Sequence, residues 1–386
     1  MLMDRVVVVG ASLAGLRAAE ALRRGGHTGV LVVVGAEVHP PYDRPPLSKS
    51  VLTGTDPASA VLRQHPDLAA EWLLGDAAVR LDPFARQVHL ASGATVDYDG
   101  LVVATGARPR ELPGVRSSLP GVHLLRTLDD AVRLRDALLT RPRVVIVGGG
   151  FIGLEVASQC RSMGLSTTVV SPDPLLGRAL GPLAWSAQTR AMEHGVVVRC
   201  PAGITAVVGT SRVEAVVLDD GDRLDAEVVL VAIGAVPETG WLDGLGLDTE
   251  GGVLCDERLA VRGLVDVVAA GDVARWPHPA LDGDVVRLEH WSSAGEQGVA
   301  AADRLLRGPG VPAHAPVPSF WSDQFGVRLQ GVGMPHRADE VEVVRGDPAG
   351  DAFAAEYRRG GRLVAALVAG GPRALLPYRL ELAHSR

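Results

Sequence analysis

Lysine is almost missing from this chain. Of its 38 lysines and arginines, 37 are arginine, and the one lysine is Lys49. Cysteine is scarce as well: Cys160, Cys200 and Cys255 lie far apart and form no C-x-x-C pair. That spacing excludes a disulfide framework and a cysteine-based zinc cluster, so no metal site is expected, and it suits a reducing compartment, the cytoplasm. No run of about 18 apolar residues is present, so no membrane span is expected. Met1–Arg5 leads straight into Val6–Val9, where a signal peptide would carry a longer apolar segment. A basic excess is lacking too: the net charge of −7 argues against general nucleic-acid binding. The rest of the composition, 386 residues with 47% hydrophobic and 22% charged, is that of a soluble protein with material for two or three domains.

The lone lysine ends the stretch Pro40-Pro41-Tyr42-Asp43-Arg44-Pro45-Pro46-Leu47-Ser48-Lys49, a loop stiffened by proline. An ammonium is a compact, mobile point charge, whereas a guanidinium is a flat fork suited to bidentate partners. Lys49 is therefore either a survivor on a solvated surface or a position that only an ammonium fills. The rest of the chain has to decide.

Val6–Val9 is a β-branched run suited to a strand buried on both faces. Gly10-Ala11-Ser12-Leu13-Ala14-Gly15 follows, then a helical Leu16–Arg24 and a second apolar run, Val30–Val34, ending near Glu37. Glu37 stands 22 residues beyond Gly15, the spacing of a dinucleotide-binding βαβ unit. Gly10 permits the tight turn, a small residue at 12 lets backbone amides approach a pyrophosphate, and Gly15 lets helix and strand pack closely. The helix N-terminus favours phosphate charge, and the acid accepts bonds from ribose hydroxyls. Ser12 stands where glycine is usual, so the match is imperfect. A nucleophile elbow would need G-x-S-x-G, but the fifth residue here is Ala14 and no His/Asp pairing accompanies it.

The pattern recurs 138 residues later. Arg143–Val147 leads into Gly148-Gly149-Gly150-Phe151-Ile152-Gly153-Leu154-Glu155, a helical Val156–Met163 and the strand-like Thr167–Val170. This G-x-G-x-x-G is complete, so two dinucleotide sites are expected; the alternative is two βαβ turns that hold no nucleotide. Leu101–Pro109 reads as a buried strand with a turn at Ala104-Thr105-Gly106, and Val228–Pro237 repeats it with Gly234. Val267–Ala274 places Gly271 and Asp272 at an expected strand-to-helix corner, where the acid bonds a sugar-alcohol hydroxyl or simply caps a helix.

These residues, with Tyr42–Lys49, Arg126-Thr127-Leu128-Asp129-Asp130, Glu289-His290-Trp291 and Phe320-Trp321-Ser322-Asp323-Gln324, resemble one family as a set. The chain is similar to the FAD-dependent pyridine nucleotide-disulfide reductase superfamily and, within it, to the ferredoxin and rubredoxin reductases of oxygenase and cytochrome P450 systems. The resemblance implies an α/β fold with two Rossmann-like dinucleotide-binding domains and a small C-terminal α/β domain. The FAD domain would span 1–112 and 235–318, the NAD(P) domain 113–234 and the C-terminal domain 319–386. Gly10, Ser12, Leu13, Ala14, Gly15 and Glu37 would hold the adenosine and pyrophosphate of FAD. Arg44, Lys49, Val79, Ala104, Thr105, Gly106, Arg126, Gly271, Asp272, Glu289 and His290 match further positions around FAD, and Trp291 and Trp321 would lie near its ring. Gly148, Gly150, Phe151, Ile152, Gly153 and Glu155 would line the nicotinamide nucleotide, and Gly234 would be a further cofactor-binding position.

Disulfide-reducing relatives carry a redox cysteine in or near the loop at 40–50, and this loop has none. The resemblance then implies that the flavin hands electrons on itself, to a ferredoxin of the 2Fe–2S or another iron–sulfur type. That ferredoxin would feed an oxygenase or P450, and Lys49, paired with Glu155, would be the catalytic charge beside the flavin. NADH is the expected donor on family grounds. Ser171 stands where NADH-using relatives commonly place Glu, so NADPH stays open, with Arg178 near its 2′-phosphate. Two other readings share this site: an NAD(P)H oxidase or reductase of another small acceptor, and a non-catalytic redox-sensing flavoprotein of the apoptosis-inducing-factor type.

Overall fold

The computed structural model describes residues 3–115 and 118–384, with Pro372 and Arg373 described by their backbone alone. Contact density divides the chain into two compact units. One comprises residues 1–43, 60–108 and 236–318; the other comprises 44–59, 109–235 and 319–386. The division departs from the expected 1–112 and 235–318, 113–234 and 319–386: the segment 44–59, which carries Lys49, packs with the second nucleotide fold and the C-terminal residues. The Pro- and Gly-containing segment Leu112–Gly121, which the sequence suggests as one crossing between the nucleotide domains, includes Arg116 and Ser117, which lie outside the described residues.

In the first unit, four valine-rich runs and the edge run Glu71–Leu74 form a five-stranded parallel sheet. Its order is Val267–Ala269, Gly100–Val103, Arg5–Val9, Val30–Gly35, Glu71–Leu74. Val6–Val9 and Leu31–Val34 are buried, as a central parallel strand requires. Helix Leu13–Arg24 returns from the first strand to its neighbour. Helix Trp291–Arg307 packs on it backbone to backbone, for a Cβ on the buried Gly298 would run into the Ala14 carbonyl. Arg23 ties the far end down: its guanidinium donates to the carbonyls of His27, Gly29, Leu68 and Ala69.

Asp272 departs from expectation. It lies in a turn between strands Val267–Ala269 and Ala274–Pro277, not at a strand-to-helix corner. Residues 274–277 alternate buried and half-buried, the period of a strand, and the next α-helix begins only at Trp291.

The second unit repeats the plan. Its parallel sheet runs Val197–Arg199, Thr167–Val170, Val144–Val147, Val228–Val231, Val122–His123, with helix Phe151–Ser162 joining the second and third of these strands. Residues from 319 onward add a five-stranded antiparallel sheet, ordered Ser319–Gln324, Val327–Gly333, Arg362–Ala369, Phe353–Arg359, Glu340–Gly346. Two of its hairpins close through two residues at positive φ, Phe325-Gly326 (+48° and +79°) and Gly360-Gly361 (+55° and +77°), with the handedness the strand twist demands. Within this unit Tyr357, fully buried, donates its hydroxyl to the Leu180 carbonyl at 2.7 Å. The largely buried Arg190 guanidinium donates to the carbonyls of residues 348–350. The closing helix is Leu376–His384 after a short turn, where the sequence suggests Arg373–Leu382.

Candidate functional site

Each glycine turn is built by the same close contact. A Cβ at Gly10 would collide with the Ala104 carbonyl, and one at Gly148 with the Ala232 carbonyl; φ is +123° and +120° respectively. Gly15 lies against the Gly10 carbonyl as Gly153 lies against that of Gly148. Glycine is required at all four positions, and the bared backbone is the result.

Helix Leu128–Leu139 provides a contrast. Thr127 caps it, accepting from the Asp130 amide at 3.1 Å, while the Asp130 carboxylate accepts from the Thr127 amide at 2.8 Å. Helices Leu13–Arg24 and Phe151–Ser162 have no such cap. Ser12 and Gly150 begin them in extended conformation, with no side-chain bond to the first turn and no acid in it. Their first-turn amides and dipole are left for an external anion, and a Cβ at Gly150 or Gly234 would meet nothing within 4 Å. The residues present therefore fit a pyrophosphate at each turn.

In the first unit, Leu13 and Ala14 are buried under the turn, and Glu37, just beyond its strand, accepts a hydrogen bond from the buried Tyr42 hydroxyl. Thr105 donates to the Glu238 carbonyl at 2.7 Å, and Gly106 turns at φ +71°. The Gly271 amide donates to the buried Gln297 side chain at 2.9 Å, which in turn donates to Ser293. Arg287 bridges the Asp272 carbonyl and the Glu289 carboxylate at 3.1 and 2.6 Å. His290 ends this approach to helix Trp291–Arg307; burial pushes its imidazole below the ordinary histidine value, and the Asp272 carboxylate works the other way. Trp291 is 40% exposed, with its indole N–H on Asp43 at 2.7 Å. Val79 is half-exposed on the small antiparallel sheet that includes Ala78–Asp82.

In the second unit, Lys49 and Glu155 meet. Lys49 Nζ lies 2.7 Å from Glu155 Oε2 and 3.2 Å from the Pro45 carbonyl. Ser48 donates to the same carboxylate oxygen at 2.5 Å, and Ser322 donates to Oε1 at 2.6 Å. Arg44 donates to the Arg126 carbonyl at 2.5 Å, fastening the proline loop to the segment before helix Leu128–Leu139. Phe151 packs on Phe320 with ring centroids 5.1 Å apart, next to Trp321 in sequence, while Ile152 is exposed. Ser171 is buried and gives its hydroxyl to the Asp173 carbonyl at 2.7 Å, and Arg178 is exposed on the short helix Gly177–Leu180.

Sequence reasoning missed Ser48, Ser322, Gln324, Asp43 and Gln297. The first four sit inside the quoted motifs, but only the fold gives their side chains a partner. Cys200 donates its thiol to the Asp173 carbonyl at 3.3 Å, beside Ser171, and burial raises it; burial pushes the thiols of Cys160 and Cys255 up to about 12. No described helix is long and apolar enough to cross a membrane.

Two parallel sheets, each with an uncapped glycine-turn helix, and an antiparallel C-terminal sheet define a two-Rossmann oxidoreductase architecture. Residues 4–298 match the family described as pyridine nucleotide-disulphide oxidoreductase, and residues 319–386 match the one described as reductase C-terminal. The chain is 37% identical to a probable ferredoxin reductase, CtmF, of Castellaniella defragrans, over 96% of this chain and 91% of that one. It is 36% identical to rhodocoxin reductase of Rhodococcus erythropolis, over 98% and 89%. Among solved structures it is similar to putidaredoxin reductase in its covalent complex with putidaredoxin, with TM-score 0.92, 32% identity, and coverage of 98% of this chain and 93% of that one. The chain belongs to the pyridine nucleotide-disulphide oxidoreductase family, among its ferredoxin reductases.

Proposed function

We propose that this protein is an FAD-dependent ferredoxin–NAD(P)+ reductase, passing electrons from NAD(P)H to a small iron–sulfur protein that serves an oxygenase or cytochrome P450. The observation that carries this is the pairing of two uncapped glycine-turn helices with a half-buried Lys49 held on the buried Glu155, in a chain with no accessible redox thiol pair. Relatives named for ferredoxin and rhodocoxin reduction support the acceptor class.

FAD, when bound, supplies the conversion of a two-electron hydride into single electrons, which an iron–sulfur acceptor requires. The chain's own work is to bind and orient. Gly10, Ser12 and Gly15 would bring first-turn amides to the FAD pyrophosphate, with Glu37 for the ribose and Thr105, Asp272 and His290 around the rest. Gly148, Gly150 and Gly153 would do the same for the nicotinamide nucleotide. Lys49, held by Glu155, would present a fixed positive charge to the reacting atoms, preorganised because its partner accepts hydrogen bonds at both oxygens. In domain terms, 1–112 and 235–318 would serve FAD, 113–234 the nucleotide, and 319–386 the reductase C-terminal part. Three free thiols suit a reducing cytoplasm.

The test is to purify the protein, record its flavin spectrum and titrate it anaerobically with NADH and NADPH. Reoxidation of the reduced protein is then followed by stopped flow against a 2Fe–2S ferredoxin and against O2. Faster transfer to the ferredoxin is expected. A colourless protein that takes up no FAD overturns the reading, and faster transfer to O2 makes it an oxidase.

A further inference from the structure

Glu155 receives more donors than an ion pair with Lys49 needs, and one of them comes from the C-terminal sheet. Ser322 is fully buried on strand Ser319–Gln324, and its hydroxyl reaches Glu155 Oε1 at 2.6 Å. Gln324, two residues on and on the same face, donates its amide to Ser322 Oγ at 2.8 Å. Serine has one proton to give. A 2.6 Å contact with a carboxylate oxygen uses it, so the Gln324 amide has to donate to Ser322. Ser48 Oγ likewise spends its proton on Oε2, beside the Lys49 ammonium. Both carboxylate oxygens are therefore acceptors, and a proton on Glu155 would displace one of these donors inside a site where Ser48, Glu155 and Gln324 are all at least 93% buried.

The register explains how a distant strand reaches this acid. Phe320 packs on Phe151, Ser322 meets Glu155, and the Phe325 amide donates to Ser158 Oγ at 2.8 Å. Four helical residues advance about 6 Å, and two strand residues about 6.7 Å, so the strand keeps step with one face of the helix. We propose that Ser322, turned by Gln324, is a positioning residue that holds Glu155 as a doubly accepting carboxylate and so fixes Lys49 for electron transfer. The inference rests on the reductase reading above for the meaning of Lys49, but the setting of Lys49 can be tested without it.

Two variants are compared with the wild type. Ser322→Ala removes the donor to Oε1. Gln324→Met keeps a similar volume but removes the amide that turns Ser322, so the hydroxyl is no longer held on Glu155. Because Lys49 is the one lysine in the chain, its labelled side-chain NMR signal reports its setting in the purified protein, and it should move toward that of a free lysine in either variant. On FAD-loaded protein, the rate of flavin reduction by NAD(P)H should fall at least fivefold, with the KM for NAD(P)H and the flavin content unchanged. Variants with the wild-type lysine signal and the wild-type reduction rate overturn the inference. If Ser322→Ala fails to fold, Gln324→Met decides alone. A wild type that binds no FAD refutes the reductase reading and leaves the lysine signal to judge the role of Ser322.

Discussion

The ammonium of Lys49 stands 2.7 Å from Oε2 of Glu155, and the same oxygen accepts the Ser48 hydroxyl at 2.5 Å. A guanidinium cannot take that place without displacing Ser48, because it is wider and its donors lie in one plane. Lys49→Arg should keep the fold and slow flavin reduction about tenfold or more, since a reacting group held an ångström out of place costs on that order or above. Anaerobic stopped-flow absorbance checks it. A wild-type rate would mean that the proline loop holds FAD by shape alone.

Gly10 and Gly148 occupy equivalent places in the two units, each at strongly positive φ against a facing carbonyl. Alanine at either collides with backbone, at a cost of about 2 kcal/mol. The two substitutions should nonetheless separate. Gly10→Ala should lower the FAD content of the purified protein, whereas Gly148→Ala should keep its flavin and raise the KM for NAD(P)H about tenfold. The reverse pattern would exchange the proposed cofactors of the two units.

Both turns were legible because glycine is forced there by contacts within about ten residues or with the neighbouring strand, and β-branched runs mark those strands. The Lys49–Glu155 pair could be named from the rarity of lysine together with the family resemblance. Ser322 could not, because its partner is 167 residues away and only the register of strand on helix brings them together. The packing of residues 44–59 with the second unit is likewise tertiary, with no local signal. Asp272 was misplaced because Ala274-Arg275-Trp276-Pro277 forms a strand too short for its alternation to stand out.

Burial pushes the thiols of Cys160 and Cys255 up to about 12, so almost none of either is thiolate near neutral pH. A colorimetric thiol titration of the native protein should therefore find at most one reactive group, Cys200, and three in denaturant. Cys200→Ser should transfer electrons within about twofold of the wild type, because no dithiol step is involved. A large loss would return thiol chemistry to the mechanism.

His290 is buried with its folded value lowered, chiefly by desolvation. The unfolded chain binds a proton at this residue below about pH 6.5, and the folded chain resists it until lower pH. The unfolded state thus binds more protons in that window. Stability is full above pH 6.5 and declines as pH falls towards the folded value. His123 and His336 are lowered in the same sense and share the effect. Melting temperatures of His290→Gln should fall less steeply than the wild type between pH 7 and 5, with His123 and His336 keeping part of the slope. Parallel curves would show that His290 is already accommodated as a cation.

Arg178 is exposed on its short helix, while Ser171, at the end of strand Thr167–Val170, has committed its hydroxyl to the Asp173 carbonyl. No carboxylate stands at position 171 to repel a 2′-phosphate, so the proposed nucleotide turn is permissive, and any gain for NADPH over NADH must come from a nearby cation. An exposed arginine can be truncated with little effect on the fold. Arg178→Ala should raise the KM for NADPH about threefold to tenfold, the range of one partly screened charge contact, and leave the KM for NADH unchanged. Equal changes for both nucleotides would mean that Arg178 acts on the shared part of the molecule and that discrimination lies elsewhere in the turn.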